Sequence, residues 1–196
     1  MFPLGAVLFP NTYLPLHVFE PRYRQLTRYC LDNDSPFGVV LIERGSEVGG
    51  GDQRHLVGTT ATIIQAEESP DGRFGLVARG AQRVRVIQWL PDFSYPQAEV
   101  EPWPDGSSVG AIPEVKTRLR GALGLASELG DRVAPATVEL DDNAEIALWQ
   151  ACSVAPIGPA DRFRLLCCDG AAERASTLVE LLDDAIATYA HRLALG

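Results

Sequence analysis

Short apolar runs separated by turn residues dominate the chain up to about residue 103. Their content of β-branched and aromatic residues is typical of strands. The stretch SPDGR at 69–73 has the composition of a tight hairpin turn between two of them. Six strands at this spacing favour a barrel or a sandwich. The predicted strands are 6–10, 13–19, 37–43, 55–67, 73–90 and 95–103.

One helical pattern interrupts these strands. Pro21 suits a first helical position, and apolar positions then recur at intervals of three and four residues until the chain reaches Pro36. From about residue 112 the apolar period becomes 3.6, which predicts four helices in succession. The predicted N-terminal capping residues of later helices are Asp142 with Glu145, and Asp169.

The segment EPWPDGSSVGAIP at 101–113 separates these two patterns. It is rich in proline, glycine and serine, as connections between structural units often are. We therefore predict an α+β protein with a β-barrel subdomain at 1–108, which carries one inserted helix, and a C-terminal helical bundle at 109–196.

Composition and charge limit the classes of function. The chain has 196 residues, 46% of them hydrophobic, which is enough for a substantial core. The net charge is −9 and both halves are acidic, which argues against a nucleic-acid partner, because phosphate binding needs a basic surface. No apolar run is long enough to span a membrane, and the first residues lack a signal-peptide pattern. We expect a cytoplasmic protein without membrane association.

Residues that could support catalysis or metal binding are sparse. The four cysteines lack C-x-x-C spacing and the three histidines are scattered, so no metal or cofactor is predicted. Lys116 is the one lysine. No glycine-rich loop precedes it, so it does not form a phosphate loop, and a Ser–Lys peptidase dyad would have to use this same residue.

The stretch LPLHVFEPRYRQL at 14–26 concentrates polar and aromatic side chains. His17 and Glu20 could act as a base and its orienting group, but no nucleophile accompanies them. A structural joint between strand and helix is favoured instead, with Glu20 at the positive end of the helix. The alternative is an exposed recognition edge that includes His17, Glu20, Arg22 and Tyr23.

A second polar group lies in RFGLVARGAQRVRV. Arg83 and Arg85 alternate with valines, so we expect both guanidiniums on one solvated face of a strand and the valines in the core. The alternative is that Arg79, Arg83 and Arg85 form a basic patch for acidic peptide segments or RNA. Gly80 is predicted to mark a bulge or a close backbone approach.

The order of several segments resembles the N-terminal, substrate-binding domain of the ATP-dependent Lon proteases. The resemblance is carried by FPLGAVLFPNTYLPLHVFEPRYRQL at 2–26, FGVVLI at 37–42, DGRFGLVARGAQRVRV at 71–86 and PADRFRLLCCDGAAERASTLVELL at 159–182. It implies a PUA-like pseudo-barrel followed by a helical bundle. Because Lon proteases continue into ATPase and peptidase modules that are not present before Gly196, we expect a stand-alone member, as in many bacteria.

This resemblance implies a non-catalytic polypeptide-binding module. Its partners would be client polypeptides with unfolded or exposed segments, or a partner protease for which it acts as an adaptor in protein quality control. Such a module needs an apolar groove or an open strand edge, which the sequence does not locate. RNA binding, as in other PUA-like barrels, and a peptidase activity are the alternatives. The sequence does not predict the oligomeric state.

Overall fold

The computed structural model of the protein describes residues 1–45, 51, 53–91, 93–106 and 112–195. The chain divides into two compact units, Met1–Pro104 and Asp105–Gly196. The boundary predicted between residues 108 and 109 lies outside the described residues. The elements are β1 (Phe2–Leu4), β2 (Tyr13–Val18), α1 (Pro21–Asn33), β3 (Phe37–Arg44), β4 (Gln53–Glu68), β5 (Phe74–Leu90), β6 (Gln97–Pro102), α2 (Ile112–Glu128), α3 (Ala144–Val154), α4 (Pro159–Leu166) and α5 (Ala171–Ala194).

The first unit is built around the long strand β5. The first part of β5 pairs with β2, its last part pairs with β6, and β4 runs beside it over residues 74–85. The sheet order is β1-β3-β4-β5-β2, with β6 also on β5. Only the β1–β3 pair is parallel among the described strands. The predicted α+β architecture, with one helix inserted among the strands and helices after them, is confirmed.

The first predicted strand is wrong in its position. Residues 6–10 are irregular, and the strand lies instead at Phe2–Leu4. Leu8, Phe9 and Pro10 of this run are nevertheless buried, and Phe9 has no exposed surface. In place of the backbone hydrogen bonds of a strand ladder, the Leu8 carbonyl accepts a hydrogen bond from the Thr59 hydroxyl at 2.6 Å. This short segment is therefore part of the core without being part of the sheet.

Glycine is sterically required at Gly80 in the sheet and at Gly72 in the hairpin turn between β4 and β5. A Cβ at Gly80 would lie 2.2 Å from the Phe9 carbonyl oxygen, which confirms the predicted close backbone approach. The ladder between β4 and β5 also shifts register beside it. Gly72 has φ of 78° in the hairpin turn at 69–73, a conformation that favours glycine, and this turn is confirmed.

Helix α1 starts at Pro21, as predicted, and buries one face against the sheet. The face follows the spacing of three and four residues expected for an amphipathic helix. It joins a core that includes Val18, Phe37 and Phe74. Leu31, which shares the apolar spacing in the sequence, lies on the exposed side. The buried residues of α1 are Tyr23, Leu26, Thr27 and Cys30.

The second unit contains helices α2 to α5. Its most deeply buried polar side chain is Arg174, which pairs with Asp105 and donates from Nε to the Leu165 carbonyl at 2.9 Å. The N-cap of α3 is Asn143, whose side-chain oxygen accepts from the backbone N–H of Glu145 and of Ile146. The predicted Asp142 capping box is therefore wrong by one residue.

The N-cap residue of the last helix, α5, also differs from the predicted one. Its N-cap residue is Gly170, which has no capping side chain, so the expectation that Asp169 caps this helix is wrong. The adjacent first turn uses a different bond, in which the backbone N–H of Asp169 donates to the Glu173 carboxylate at 2.8 Å. Among the described helices, none is long and apolar enough to cross a membrane.

Each of the three tryptophans has an arginine against its indole ring. The Arg54 guanidinium carbon lies 4.7 Å from the ring centre of Trp89, and that of Arg174 lies 3.6 Å from Trp149. Cation–π attraction of this kind contributes about 0.5–2 kcal/mol, with the larger values at desolvated sites. We therefore expect the Trp149 pair, whose members are both buried, to be the stronger of these two.

Candidate functional site

The joint between β2 and α1 holds the first group of predicted residues together. Glu20 has extended backbone and occupies the N-cap position of α1, where its carbonyl accepts from the Arg24 N–H at 2.9 Å. Its carboxylate makes no capping hydrogen bond and instead lies 3.3 Å from the Arg22 guanidinium. That guanidinium lies 4.5 Å from the ring centre of Tyr23, which stacks on Phe2 at 4.1 Å.

Tyr23 does not belong to an exposed edge. It is 3% exposed, because the first turn of α1 directs it into the core beside Phe2. The expectation that its side chain is exposed is therefore wrong, while its part in recognition stays a prediction. His17, by contrast, is exposed on β2, and Arg22 and Glu20 are partly exposed. The arrangement supports the structural-joint interpretation for Tyr23 and leaves His17 accessible.

A small cavity of about 140 Å³ opens at this joint. Its walls are mostly apolar, with His17 and Glu20 at the rim, and Phe19 beside it is 47% exposed. Phe19 and His17 form an aromatic pair with ring centres 6.4 Å apart. The lining residues are Phe2, Leu4, Pro15, Leu16, His17, Val18, Phe19, Glu20 and Tyr23. These described lining residues include no serine, cysteine or threonine that could act as a nucleophile beside His17.

The predicted arginine patch is also changed by the structure. Arg83 is only 3% exposed, so the expectation of a solvated side chain is wrong. Its Nε donates to the Trp103 carbonyl at 3.1 Å, and its guanidinium carbon lies 3.8 Å from the Trp103 ring centre. The Arg85 guanidinium lies 3.7 Å from the same ring. Two groups this near one ring centre must flank it, so the indole lies between them.

The third member of the patch makes a different contact. Arg79 is exposed and donates to the Asn11 side-chain oxygen at 3.0 Å. Of the three arginines, Arg79 and Arg85 therefore present side chains to solvent. Arg83 instead links β5 to the residue that follows β6 through its hydrogen bond to the Trp103 carbonyl. The structure does not bring this group together with His17 and Glu20 into one cavity.

A larger concave surface lies between α1 and β6, within the first unit. We call it the α1–β6 groove; its volume is about 460 Å³, within the range of about 300–1,000 Å³ usual for ligand sites. Tyr29 and Val100 at its rim are exposed, although both are apolar in character. The groove is lined by Met1, Leu26, Tyr29, Cys30, Pro36, Phe37, Gly38, Thr60, Val84, Leu90, Tyr95, Gln97, Ala98 and Val100.

Among the residues that the structure describes, no aspartate, glutamate, arginine or lysine side chain lines the α1–β6 groove. Burial raises the pKa of the Cys30 thiol. Burial, together with the neighbouring Tyr29 and Cys30, also raises the pKa of Tyr95, whose ring centre is 6.3 Å from that of Tyr29. These groups are therefore neutral at physiological pH. Apart from the Met1 ammonium, which donates to the Pro96 carbonyl at 2.7 Å, the described lining offers apolar contact and a few hydroxyl groups. This surface suits apolar side chains better than charged ones.

The sequence reasoning missed this groove for a topological reason. Tyr29 lies on the exposed side of α1, and Val100 lies on β6 about seventy positions later. Nothing local marks the two as neighbours. The available signal was that Tyr29 falls outside the buried face of α1, and that Ala98 and Val100 alternate with glutamates along β6. Within the described part of the chain, no group of three or more His, Cys, Asp or Glu residues could hold a metal ion.

Strand edges are the second feature relevant to polypeptide binding. In the ladder between β2 and β5, the Gly80 N–H donates to the Thr12 carbonyl, so Thr12 and Gly80 form a hydrogen-bonded pair. From there, non-hydrogen-bonded and hydrogen-bonded pairs alternate along the two strands. Pro15, in register with Val77, then falls at a position whose backbone groups point away from β5. Because proline has no N–H, this edge lacks a donor at its centre, and an added strand would pair poorly there.

Residues 1–184 match the protein family described as the ATP-dependent protease La (LON) substrate-binding domain. The match covers far more than half of the 196 residues. This chain belongs to that family. The LON-domain assignment agrees with the observed order of a mixed sheet, an inserted helix and a following set of helices.

Solved LON domains share this fold. The Lon N-terminal domain protein from Xanthomonas campestris is 29% identical, with a TM-score of 0.66, and the match covers 91% of this chain and 95% of that one. The N-terminal domain of Mycobacterium avium complex Lon protease has a TM-score of 0.61 over 93% of this chain and 97% of that one. At 14% identity, the second similarity supports the fold alone.

Among curated relatives, the Lon protease of Cytophaga hutchinsonii is 27% identical over 190 residues, which is 91% of this chain and 23% of that protein. A LON peptidase N-terminal domain and RING finger protein of Schizosaccharomyces pombe is 29% identical over 110 residues, which is 50% of this chain and 23% of that protein. This LON chain thus spans less than a quarter of the length of either relative. It corresponds to the substrate-binding part of the family.

Proposed function

We propose that this protein is a non-catalytic module that binds unfolded or exposed segments of client polypeptides through the α1–β6 groove. The observation that carries the proposal is the groove itself, an apolar concavity of about 460 Å³ in a LON substrate-binding domain. An exposed apolar surface of this kind commonly marks a binding site. In this role the protein serves protein quality control, either by holding clients or as an adaptor for a partner protease.

The other surfaces support the same role less well. The cavity at the β2–α1 joint has about 140 Å³, less than a third of the volume of the groove. Pro15 weakens the β2 edge as a place for an added strand. His17, Glu20, Arg22, Arg79 and Arg85 are not among the described residues that line the groove, and they remain predicted contacts for a polypeptide. Charged groups outside the centre of an interface affect association rate more than affinity.

The proposal is tested by measuring the affinity of the protein for a permanently unfolded polypeptide. Reduced and carboxymethylated α-lactalbumin, carrying a fluorescent label, is titrated with the protein, and the native form of the same polypeptide serves as the folded comparison. We expect saturable binding of the unfolded form and none of the native form. Equal binding of both forms, or of neither, contradicts the proposal.

The location is tested by a matched pair of variants. Val100→Asp places a charge at the rim of the groove, whereas Ile64→Asp places the same charge at an exposed apolar position on β4 outside it. Because burying an unpaired carboxylate against an apolar ligand is costly, we expect Val100→Asp to weaken binding at least about tenfold. Ile64→Asp should leave it within about twofold, and the reverse order would place the site elsewhere.

A further inference from the structure

The outer edge of β6 borders the α1–β6 groove and has unpaired strand geometry. Among the described residues, β6 pairs only with β5. The Trp103 N–H donates to the Arg83 carbonyl at 2.8 Å, so Arg83 and Trp103 form a hydrogen-bonded pair. Hydrogen-bonded and non-hydrogen-bonded pairs alternate along the ladder, which makes the Val86–Val100 pair a non-hydrogen-bonded one. The N–H and C=O groups of Val100 therefore point away from β5. Val100 keeps the donor that Pro15 lacks on β2, whereas Pro102, two residues further along β6, has none.

The two faces of β6 differ sharply in character. Ala98 and Val100 line the groove. Since side chains alternate along a strand, Glu99 and Glu101 lie on the opposite face, and both are exposed. Glu99 accepts a hydrogen bond from the Gln88 side chain at 3.0 Å. In the part of the chain that the structure describes, neither carboxylate forms an ion pair.

The geometry points to a specific class of occupant: an extended polypeptide segment in which apolar residues alternate with lysine or arginine, added as a strand to the outer edge of β6. This inference rests on the proposed function and names the client segment that the groove accepts. Residues opposite Ala98 and Val100 enter the groove, and residues opposite Glu99 and Glu101 meet the carboxylates.

Charge complementarity favours lysine and arginine at the peptide positions opposite Glu99 and Glu101. Opposite charges at directly facing positions of neighbouring strands stabilise the pair, whereas like charges destabilise it. The net charge of −9 also attracts a basic segment during encounter. The peptide residues opposite Ala98 and Val100 are selected to be apolar by the apolar lining of the groove. The Met1 ammonium is the one charge among its described lining residues, and it offers no partner to lysine or arginine. Main-chain hydrogen bonds then supply affinity, and the alternating side chains supply specificity.

The test uses labelled synthetic peptides and fluorescence anisotropy at low ionic strength. The probe is acetyl-GKVKVKVG-amide, whose core matches the six-residue length of β6. Acetyl-GKKKVVVG-amide has the same composition without alternation, and acetyl-GEVEVEVG-amide has the opposite charge. We expect the alternating basic peptide to bind at least about tenfold more tightly than either control. Equal affinity of the alternating and block peptides overturns the strand-pairing geometry.

Charge-reversed variants test the contribution of β6. Glu99→Lys with Glu101→Lys should weaken binding of the basic peptide about tenfold and strengthen that of the acidic peptide. The matched control, Glu67→Lys with Glu128→Lys, makes the same change in net charge at exposed positions outside β6. If the control has the same effect as the β6 variant, the attraction is only a property of total charge and the inference fails.

Backbone pairing is tested with two N-methylated forms of the alternating peptide, one methylated at the lysines and one at the valines. Only one set of N–H groups can face β6, so one form should lose binding and the other should retain it. Loss or retention by both overturns strand addition.

Two further outcomes separate this inference from the proposed function. If unfolded α-lactalbumin binds but the peptides do not discriminate, the client class is wrong while the module remains a polypeptide binder. If sedimentation shows dimers that Val100→Asp abolishes, the edge is occupied by a second copy of this chain, and the inference is overturned.

Discussion

Arg174 and Asp105 form a two-point ion pair inside the second unit. Arg174 Nη1 pairs with Asp105 Oδ2, Arg174 Nη2 donates to Asp105 Oδ1 at 2.9 Å, and the two side chains are 0% and 5% exposed. Two of the three remaining donors of the guanidinium reach the carbonyls of Leu165 and Cys168. Its planar face lies against Trp149. A buried charge with all of these partners is well compensated, and it fixes Asp105, the first residue of the unit, onto α5.

Removing one partner of this pair should be strongly destabilising. Asp105→Asn or Arg174→Met leaves the other charge buried and uncompensated, so we expect a loss of about 3–5 kcal/mol in the free energy of unfolding by urea denaturation. The double variant should lose less than the sum of the single losses, because it leaves no isolated charge. The control is Asp131→Asn, which breaks the half-exposed pair with Arg192 and should cost no more than about 1 kcal/mol. Equal losses at the two sites would contradict this view.

Two glycines of β5 should respond in opposite ways to alanine. Gly80→Ala places a methyl group 2.2 Å from the Phe9 carbonyl oxygen, so backbone must move, and we expect a loss of about 1–3 kcal/mol. Gly75→Ala adds a methyl group to open space on the same strand and should be neutral or stabilising by up to about 1 kcal/mol. Thermal or chemical unfolding of the two variants measures both effects. A tolerated Gly80→Ala would show that residues near Phe9 can shift at little cost.

Alkaline pH should destabilise the protein through Cys152. Burial raises the pKa of this thiol from 9.0 to about 12, so the folded state keeps its proton where the unfolded state releases it. The resulting stabilisation is fully present below pH 9 and is lost as the pH rises toward 12. The slope for one thiol is at most about 1.4 kcal/mol per pH unit.

The check on this prediction is a comparison of unfolding free energies at several pH values between 8 and 11. Cys152→Ala should show a weaker dependence on pH than the parent protein. Val154→Ala, which shortens a side chain on the same helix without removing a titratable group, should keep the parent slope. An unchanged slope in Cys152→Ala would mean that this thiol does not control the alkaline transition.

RNA binding is expected to be weak. The acidic balance repels phosphate, Arg83 is buried, and Arg85 lies against Trp103. In gel shifts with single-stranded RNA at physiological salt, we expect a dissociation constant weaker than about 100 µM. Arg79→Ala with Arg85→Ala is compared with Arg118→Ala with Arg192→Ala, which makes the same charge change elsewhere. Tight, salt-dependent binding that only the first pair abolishes would establish the RNA alternative.

Local patterns predicted those features that depend on neighbouring residues in the chain. The proline start and buried face of α1 follow from spacing alone, and Gly80 was recognised as a close-packed position from its place inside a strand. The N-cap of α3 was misplaced by one residue because both Asp142 and Asn143 can cap a helix, and only the backbone geometry selects Asn143.

Features that depend on pairing between distant segments could not be predicted in this way. The alternation at 83–86 correctly separates Val84 from Arg83, but Trp103 covers Arg83 only because the end of β6 pairs with that part of β5. The α1–β6 groove likewise depends on the position of β6 after a register shift between Val86 and Gln88. Register shifts of this kind leave no signal in hydrophobic spacing.

Because each tryptophan packs against an arginine in the folded protein, its fluorescence can report on the folding of the unit that contains it. Trp89 and Trp103 belong to Met1–Pro104, whereas Trp149 belongs to Asp105–Gly196. Unfolding separates each indole from its guanidinium and exposes it to water, which changes its emission. A chain with Trp89 and Trp103 replaced by phenylalanine emits from the helical unit alone, and a Trp149→Phe chain emits from the sheet unit alone. Fluorescence without an added label can therefore show whether the two units lose structure together or one after the other.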